Sequence, residues 1–306
     1  MLLLVNGLLV LAVIGMVFLI DEALQRHVQV ATTHIQIPTE TPTHAFDTVA
    51  IQGKAVYVFD VARNKIVYEK NAQAQLPLAS LTKLMMALVA IDSVPENSHI
   101  TINKDFLASD GDNGLLAGET WTMKNLLDFS LVVSSNDGAT SLASVIGASM
   151  ANTDNYDIGR KDFISKMNQT AQTLGLSQTY FINENGLDVA SDLSGGYGSA
   201  QNVAQLMQYI ITHKPDLLEA TKYPTSTISS ATKNHVAQNT DTIVTSIPGL
   251  IASKTGYTSL AGGNLAVAFD AGLERPMVIV VLGSTEDGRF TDVSQLVKAT
   301  LAYVGE

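Results

Sequence analysis

The hydrophobic pattern divides the chain into three regimes. Met1 to Ile20 is apolar and uncharged, with Asn6 the one strongly polar residue, and Asp21 and Glu22 end the run. At about 1.5 Å per residue, a helix of this length covers roughly the 30 Å of a bilayer core. No Lys or Arg precedes the run and no clear small-residue cleavage site follows it. Residues 1–20 are therefore predicted to be an uncleaved membrane anchor rather than a signal peptide. Their apolar character all round, not on one face, argues against a buried core helix. Residues 31 to 48 are rich in Thr, carry Pro38 and Pro42, and keep no period for long. Residues 21–48 are read as a linker, and residues 49–306 as the folded domain.

Within that domain, Ala55 to Phe59 and Lys65 to Glu69 are β-rich runs around a polar turn, Asp60 to Asn64, which predicts a hairpin. Leu81 to Ile91 predicts a helix with Ser80 as its cap. Trp121 to Met150 continues as apolar helix, Asp162 to Leu174 as an amphipathic helix stopped by Gly175, and Ser199 to Thr212 as another. Ile251 to Thr255, Asn264 to Phe269 and Met277 to Leu282 return to short β runs with Gly-rich turns, and Asp292 to Val304 closes as a helix. Strands joined by short turns pair antiparallel. The expected class is therefore α+β: an antiparallel sheet built from both chain ends, flanking helices, and an all-helical insertion that leaves a groove where the parts meet.

Composition narrows the function. Acidic residues outnumber basic ones by 29 to 18, a net charge of −11, which repels phosphate backbones and makes nucleic acid an unsuitable partner. The chain has no cysteine, so disulfides, thiolate catalysis and cysteine-ligated metals are excluded. The six histidines, His27, His34, His44, His99, His213 and His235, are scattered along the chain and are read as surface residues. No metal and no other cofactor is expected.

Three short motifs carry candidate chemistry. Ser80-Leu81-Thr82-Lys83 places a serine and a lysine one helical turn apart on one face. A serine becomes a useful nucleophile when a base takes its proton, and a lysine serves if burial or a nearby cation lowers its pKa. The bland reading is an ordinary helix cap, and a second copy, Ser230-Ala231-Thr232-Lys233, shows how readily the pattern arises. Ser134-Ser135-Asn136 offers a hydroxyl and an amide at a helix–loop junction, or simply a polar turn. Lys254-Thr255-Gly256 supplies a charge, a hydroxyl and a close-approach glycine on a β run, or an edge-strand lysine that discourages aggregation.

Taken in order, S-x-x-K, S-x-N and K-T-G resemble the penicillin-recognising serine acyltransferases, and most of all the D-alanyl-D-alanine carboxypeptidase family of low-molecular-mass penicillin-binding proteins. The resemblance runs from about Val49 to the C-terminus. It extends to Pro77-Leu-Ala-Ser-Leu-Thr-Lys83, Ser134-Ser-Asn-Asp137, Asn185-Gly-Leu-Asp188 and Lys254-Thr-Gly-Tyr-Thr-Ser-Leu-Ala-Gly-Gly-Asn-Leu265. It implies a β-lactamase/DD-peptidase-like fold and a serine carboxypeptidase acting on peptidoglycan stem peptides that end in D-Ala-D-Ala.

By the same resemblance, Ser80 attacks the penultimate D-Ala carbonyl and Lys83 takes its proton. Ser134 passes a proton to the leaving D-Ala, Asn136 binds the substrate amide, and Lys254 and Thr255 hold the terminal carboxylate. Gly256 allows close approach, and the backbone N–H groups of Ser80 and Tyr257 form the oxyanion hole. The expected location is the bacterial cell envelope, anchored through residues 1–20 with the domain outside the cytoplasm and β-lactams as covalent inhibitors.

Three departures accompany the match. Ser135 stands where many relatives have Gly, Asn185 where many have His, and the chain ends about fifty residues after Lys254, so attachment is expected to rest on the N-terminal helix. A serine β-lactamase or an endopeptidase would use the same motifs, and a catalytically silent muropeptide sensor is the alternative of another class. Asn183-Glu184-Asn185 is the one faint counterpart of a lactamase's water-activating glutamate.

Overall fold

The computed structural model describes residues 44–107 and 114–305. The expected membrane anchor and most of the expected linker lie outside the described residues. The chain divides into a unit of residues 1–43 and a compact unit from His44 onward, and only the second is described below. It begins with a 3-10 turn, His44–Phe46, whose Phe46 ring stacks on Tyr68 with centroids 5.1 Å apart.

The predicted hairpin is present as β1 (Ala55–Asp60) and β2 (Lys65–Lys70). Leu76–Pro77 (β3) leads to a 3-10 turn, Ala79–Leu81, and then to helix α1 (Thr82–Ser93). Two short strands, β4 (His99–Thr101) and β5 (Thr120–Thr122), pair with each other ahead of α2 (Met123–Val132), α3 (Asn136–Met150) and α4 (Tyr156–Thr173). Next come β6 (Tyr180–Phe181), β7 (Gly196–Gly198) and α5 (Ala200–His213). A hairpin of β8 (Thr225–Ser229) and β9 (Asn234–Gln238) precedes β10 (Leu250–Thr258), β11 (Gly262–Asp270), β12 (Pro276–Ser284) and the closing helix α6 (Gly288–Gly305).

The main sheet has the order β10-β11-β12-β1-β2 with every neighbouring pair antiparallel, so it is built from both chain ends as expected. Its central strands are apolar without alternation because both faces are covered. On one face Val56, Val58, Leu265, Val267, Ile279 and Val281 pack with Val293, Leu296 and Val297 of α6. On the other, the smaller Ala252, Ala266 and Ala268 join Val278, Val280 and Leu282 under the helical insertion. Helix α1 runs through that insertion and is buried from Thr82 to Ala90, which explains an apolar surface on all its sides.

Five expectations need correction. The insertion between the two ends of the sheet is not all helical: it carries the paired strands β4–β5 and β8–β9, and β6 and β7 form a small sheet with β3. Ser80 does not cap the first helix: the cap position is Leu81, with no side-chain bond, and Ser80 sits in the preceding 3-10 turn. The apolar stretch from Trp121 to Met150 is not one helix, because Trp121 lies in β5 and Val133 to Ser135 separate α2 from α3. The amphipathic helix starts six residues before Asp162, since the Asn155 side chain caps the amides of Asp157 and Ile158 at 3.0 and 3.1 Å. His235 is buried, not on the surface: its Nε2 lies 2.7 Å from Glu119 Oε1 and its ring packs on Trp121 and Phe129.

Candidate active site

The three motifs converge between β10, the edge strand of the sheet, and the helical insertion. Ala79, immediately before Ser80, has φ +47°, and Ser134, between α2 and α3, has φ +59°. Left-handed backbone at a non-glycine residue costs on the order of 1 kcal/mol or more and tends to be kept where geometry is needed. Here the first turn lifts Ser80 out of the helix that follows it. The second breaks the α2–α3 run so that Ser134 and Asn136 face the same space as Ser80.

Lys83 is fully buried, and its ammonium donates to Ser80 Oγ at 2.8 Å, Asn136 Oδ1 at 2.7 Å and the Asn185 carbonyl at 2.8 Å. Burial, helped by the neighbouring positive charge of Lys254, holds its pKa well below that of an ordinary lysine, against an upward pull from Glu184. Lys254, equally buried, donates to Ser134 Oγ at 2.9 Å and to the Thr255 carbonyl at 3.0 Å. Burial and the Arg289 guanidinium push Lys254 down to about 7, with Asp241 opposing. Two serines thus each meet a lysine of lowered proton affinity, one at a helix start and one on the strand.

The strand passes very close to the Ser80 turn. A Cβ on Gly256 would lie 2.9 Å from the Leu78 carbonyl oxygen and 3.1 Å from Ser80 N, so a side chain there would force the two segments apart. Tyr257, the next residue, is half exposed at the rim. Thr255 Oγ1 is 2.5 Å from Thr240 Oγ1. The loop after β6 closes the remaining side. Gly186 (φ +84°) packs against the Ala79 carbonyl, where a Cβ would come within 1.9 Å, and Asp188 accepts from Thr258 Oγ1 at 3.0 Å.

All eight residues singled out from the sequence, Ser80, Lys83, Ser134, Asn136, Lys254, Thr255, Gly256 and Tyr257, lie along this groove. The second S-x-x-K does not. Ser230 and Lys233 sit at the turn between β8 and β9, where Ser230 Oγ donates to Glu119 Oε1 at 2.7 Å and Lys233 is exposed. Ser135 caps α3 by accepting from Gly138 N at 3.0 Å. Asn185 meets the site through its backbone carbonyl, a contact that a histidine would supply equally well.

Sequence reasoning missed Arg289. It belongs to no motif and arrives from the first turn of α6. Its Nη1 donates to the Gly256 carbonyl at 2.9 Å, and its buried Nε has no partner among the described residues. Among the described residues, no group of three His, Asp or Glu side chains is arranged to hold a metal ion.

A serine hydroxyl beside a buried lysine of lowered proton affinity, with a cationic strand along its edge, is the layout of an acyl-transferring serine enzyme. The chain belongs to the D-alanyl-D-alanine carboxypeptidase family: that family's model, peptidase S11, matches residues 39–286. It is similar to the D-alanyl-D-alanine carboxypeptidase DacB2 of Mycobacterium tuberculosis, with 28% identity over 232 residues, 76% of this chain and 75% of that protein. It is similar also to the D-alanyl-D-alanine endopeptidase of Escherichia coli, with 27% identity over 267 residues, 84% of this chain and 80% of that one. Among solved structures, penicillin-binding protein D2 of Listeria monocytogenes in its ampicillin-bound form matches with a TM-score of 0.69 and 27% identity, covering 81% of this chain and 97% of that one.

Proposed function

We propose that the protein is a serine D-Ala-D-Ala carboxypeptidase that trims peptidoglycan stem peptides through an acyl-enzyme on Ser80. The observation that carries this reading is the Lys83 ammonium bonded at once to Ser80 and Asn136. In the neutral form Lys83 accepts the Ser80 proton as the hydroxyl attacks the penultimate D-Ala carbonyl. The backbone N–H groups of Ser80 and Tyr257 receive the oxyanion, a role supported by how tightly Gly256 packs on the Ser80 turn. Ser134, held by Lys254, relays the proton from Lys83 to the leaving D-Ala nitrogen, which leaves Lys83 neutral again, and Asn136 orients the substrate amide.

The terminal carboxylate is assigned to Lys254 and Thr255, with Arg289 behind them. Water then attacks the ester and Lys83, neutral again, takes its proton; as the acyl–oxygen bond breaks, Lys83 gives that proton to the departing Ser80 Oγ, restoring both groups. Glu184 argues against a lactamase. Its carboxylate is fully buried and bonded to Thr140 Oγ1 at 2.7 Å and Arg160 Nε at 2.8 Å, so it is not free to activate a water at the ester.

The location follows from the substrate: residues 1–20 anchor the protein in the membrane, the linker after them leads to the compact unit that starts at His44, and that domain faces the cell wall. Carboxypeptidases and endopeptidases both stand among the relatives. Digestion of intact muropeptides followed by mass spectrometry separates the two. Release of free D-Ala is expected, and cleavage of cross-links alone would replace this reading with the endopeptidase one. In the same assay a β-lactam is expected to stay bound for far longer than one peptide turnover, because its leaving group remains tethered to the acyl-enzyme.

A further inference from the structure

We propose that Glu184 is a positioning residue for the Ser80–Lys83 pair, a buried carboxylate moored by Arg160 that holds the Asn185 carbonyl against the lysine and steadies the charge the lysine acquires. The inference rests on Lys83 being the base that takes the Ser80 proton.

Glu184 is fully buried. One oxygen accepts from Thr140 Oγ1 of α3 at 2.7 Å, the other from Arg160 Nε of α4 at 2.8 Å. The residue that follows it is Asn185, whose carbonyl takes one of the three Lys83 hydrogens. The carboxylate therefore fixes the backbone segment that touches the base, without touching Ser80 itself.

A buried carboxylate is costly and needs a reason. A glutamine would fill the same volume and accept from Thr140 equally well, so what the glutamate adds is charge. Among the described residues, the charged groups that act on Lys83 are Lys254 from β10, itself faced by Arg289 and Asp241, and Glu184 from the loop; α3 brings Asp137, buried next to Asn136. Of these, Lys254 discourages an ammonium at position 83 and Glu184 favours it. When the Ser80 proton moves to Lys83, a cation forms in a buried site beside another cation. Glu184 is the anion placed to offset it. Arg160 is a third exposed along its side chain and pairs with Glu184 from the outer side, so it joins the buried carboxylate to solvent.

The test is the pH dependence of Ser80 acylation by a penicillin, followed by intact-mass time courses on the full chain. The rising limb reports the loss of a proton from Lys83. In Glu184→Gln the limb is expected to move to lower pH by roughly one unit, the low end of what a neighbouring opposite charge does, with a lower plateau from the weaker base. A limb that stays in place, or moves to higher pH, overturns the proposal. The position of the limb, unlike its height, does not depend on how much of the variant is folded.

Arg160→Gln is the safer substitution because that side chain reaches the surface. It has to displace the limb too, upward while Glu184 keeps its charge, and an undisplaced limb there overturns the proposal even if Glu184→Gln does not fold. Lys83→Ala separates the two claims. Full acylation in that variant would sink the base assignment itself, whereas lost acylation with an unmoved limb in Glu184→Gln would sink only the role of Glu184.

Discussion

The chain contains the pattern S-x-x-K twice and folds it in two unrelated ways. Ser80 and Lys83 enter a strained turn and a buried helix, and the lysine ammonium lies 2.8 Å from the serine oxygen. Ser230 and Lys233 occupy a hairpin turn. There the serine bonds Glu119 and accepts the backbone amides of Thr232 and Lys233 at 3.3 and 3.1 Å, while the lysine side chain points to water. Spacing alone brings two residues near each other. Burial converts the lysine from an ordinary surface cation to a base, since removing the ammonium from water lowers its hold on the proton. The reactive copy is the one whose lysine is dehydrated and whose serine is left without a capping duty.

The largest effects should come from the lysines. Lys83→Ala is expected to slow penicillin acylation by roughly 10²–10⁴-fold, the usual contribution of a positioned general base. Lys233→Ala should leave the rate unchanged. Stopped-flow or intact-mass acylation kinetics measure both, and equal losses would erase the distinction between the copies.

The next effect concerns the anion end of the groove. Amidating the C-terminus of a D-Ala-D-Ala peptide should remove a charge-assisted contact of ~1.5–3 kcal/mol, roughly a tenfold to hundredfold drop in kcat/KM. Equal turnover of acid and amide would detach Lys254 and Thr255 from the carboxylate.

The pH profile follows from the same lysine. Lys254 must carry its proton to hold the carboxylate, so kcat/KM for the peptide acid is expected to fall as pH rises through about 7, its value in the free protein. A bound carboxylate favours the ammonium, so the corresponding fall in kcat should lie at higher pH. The amide substrate, with no carboxylate to hold, should not show this falling limb. A shared limb for acid and amide would assign it to another group.

The smallest effect is on the second copy itself. Ser230→Ala should cost about 1 kcal/mol of stability, since Glu119 loses one donor but keeps His235, and should lower Tm by about 2–4 °C without changing catalysis. Thermal unfolding beside the acylation assay reads both. A slower acylation would give the hairpin a part in the site.

Much of this was legible in the sequence. The hairpin of β1 and β2 and the three returning strands follow from β-branched runs between polar turns, and their antiparallel order follows from the shortness of those turns. The three motifs identified every groove residue they contain. What escaped detection was set by long-range packing. The break at Ser134 is a single residue in left-handed backbone, which apolar periodicity does not register. Arg289 reaches Gly256 because α6 packs across the sheet, a contact between residues 33 positions apart that no local pattern marks. His235 looked like a polar surface residue because its partner Glu119 lies 116 residues away. Phe46 fell within the expected linker, yet it stacks on Tyr68, a pairing that emerges once β2 exists.

The most direct test of the account is to map the adduct formed when the intact chain is treated with a penicillin. Proteolysis and tandem mass spectrometry should place a single acyl group on Ser80, with Ser230 and Ser134 unmodified. An adduct on Ser230, or no adduct on any serine, would contradict the claim that burial of Lys83 selects the nucleophile.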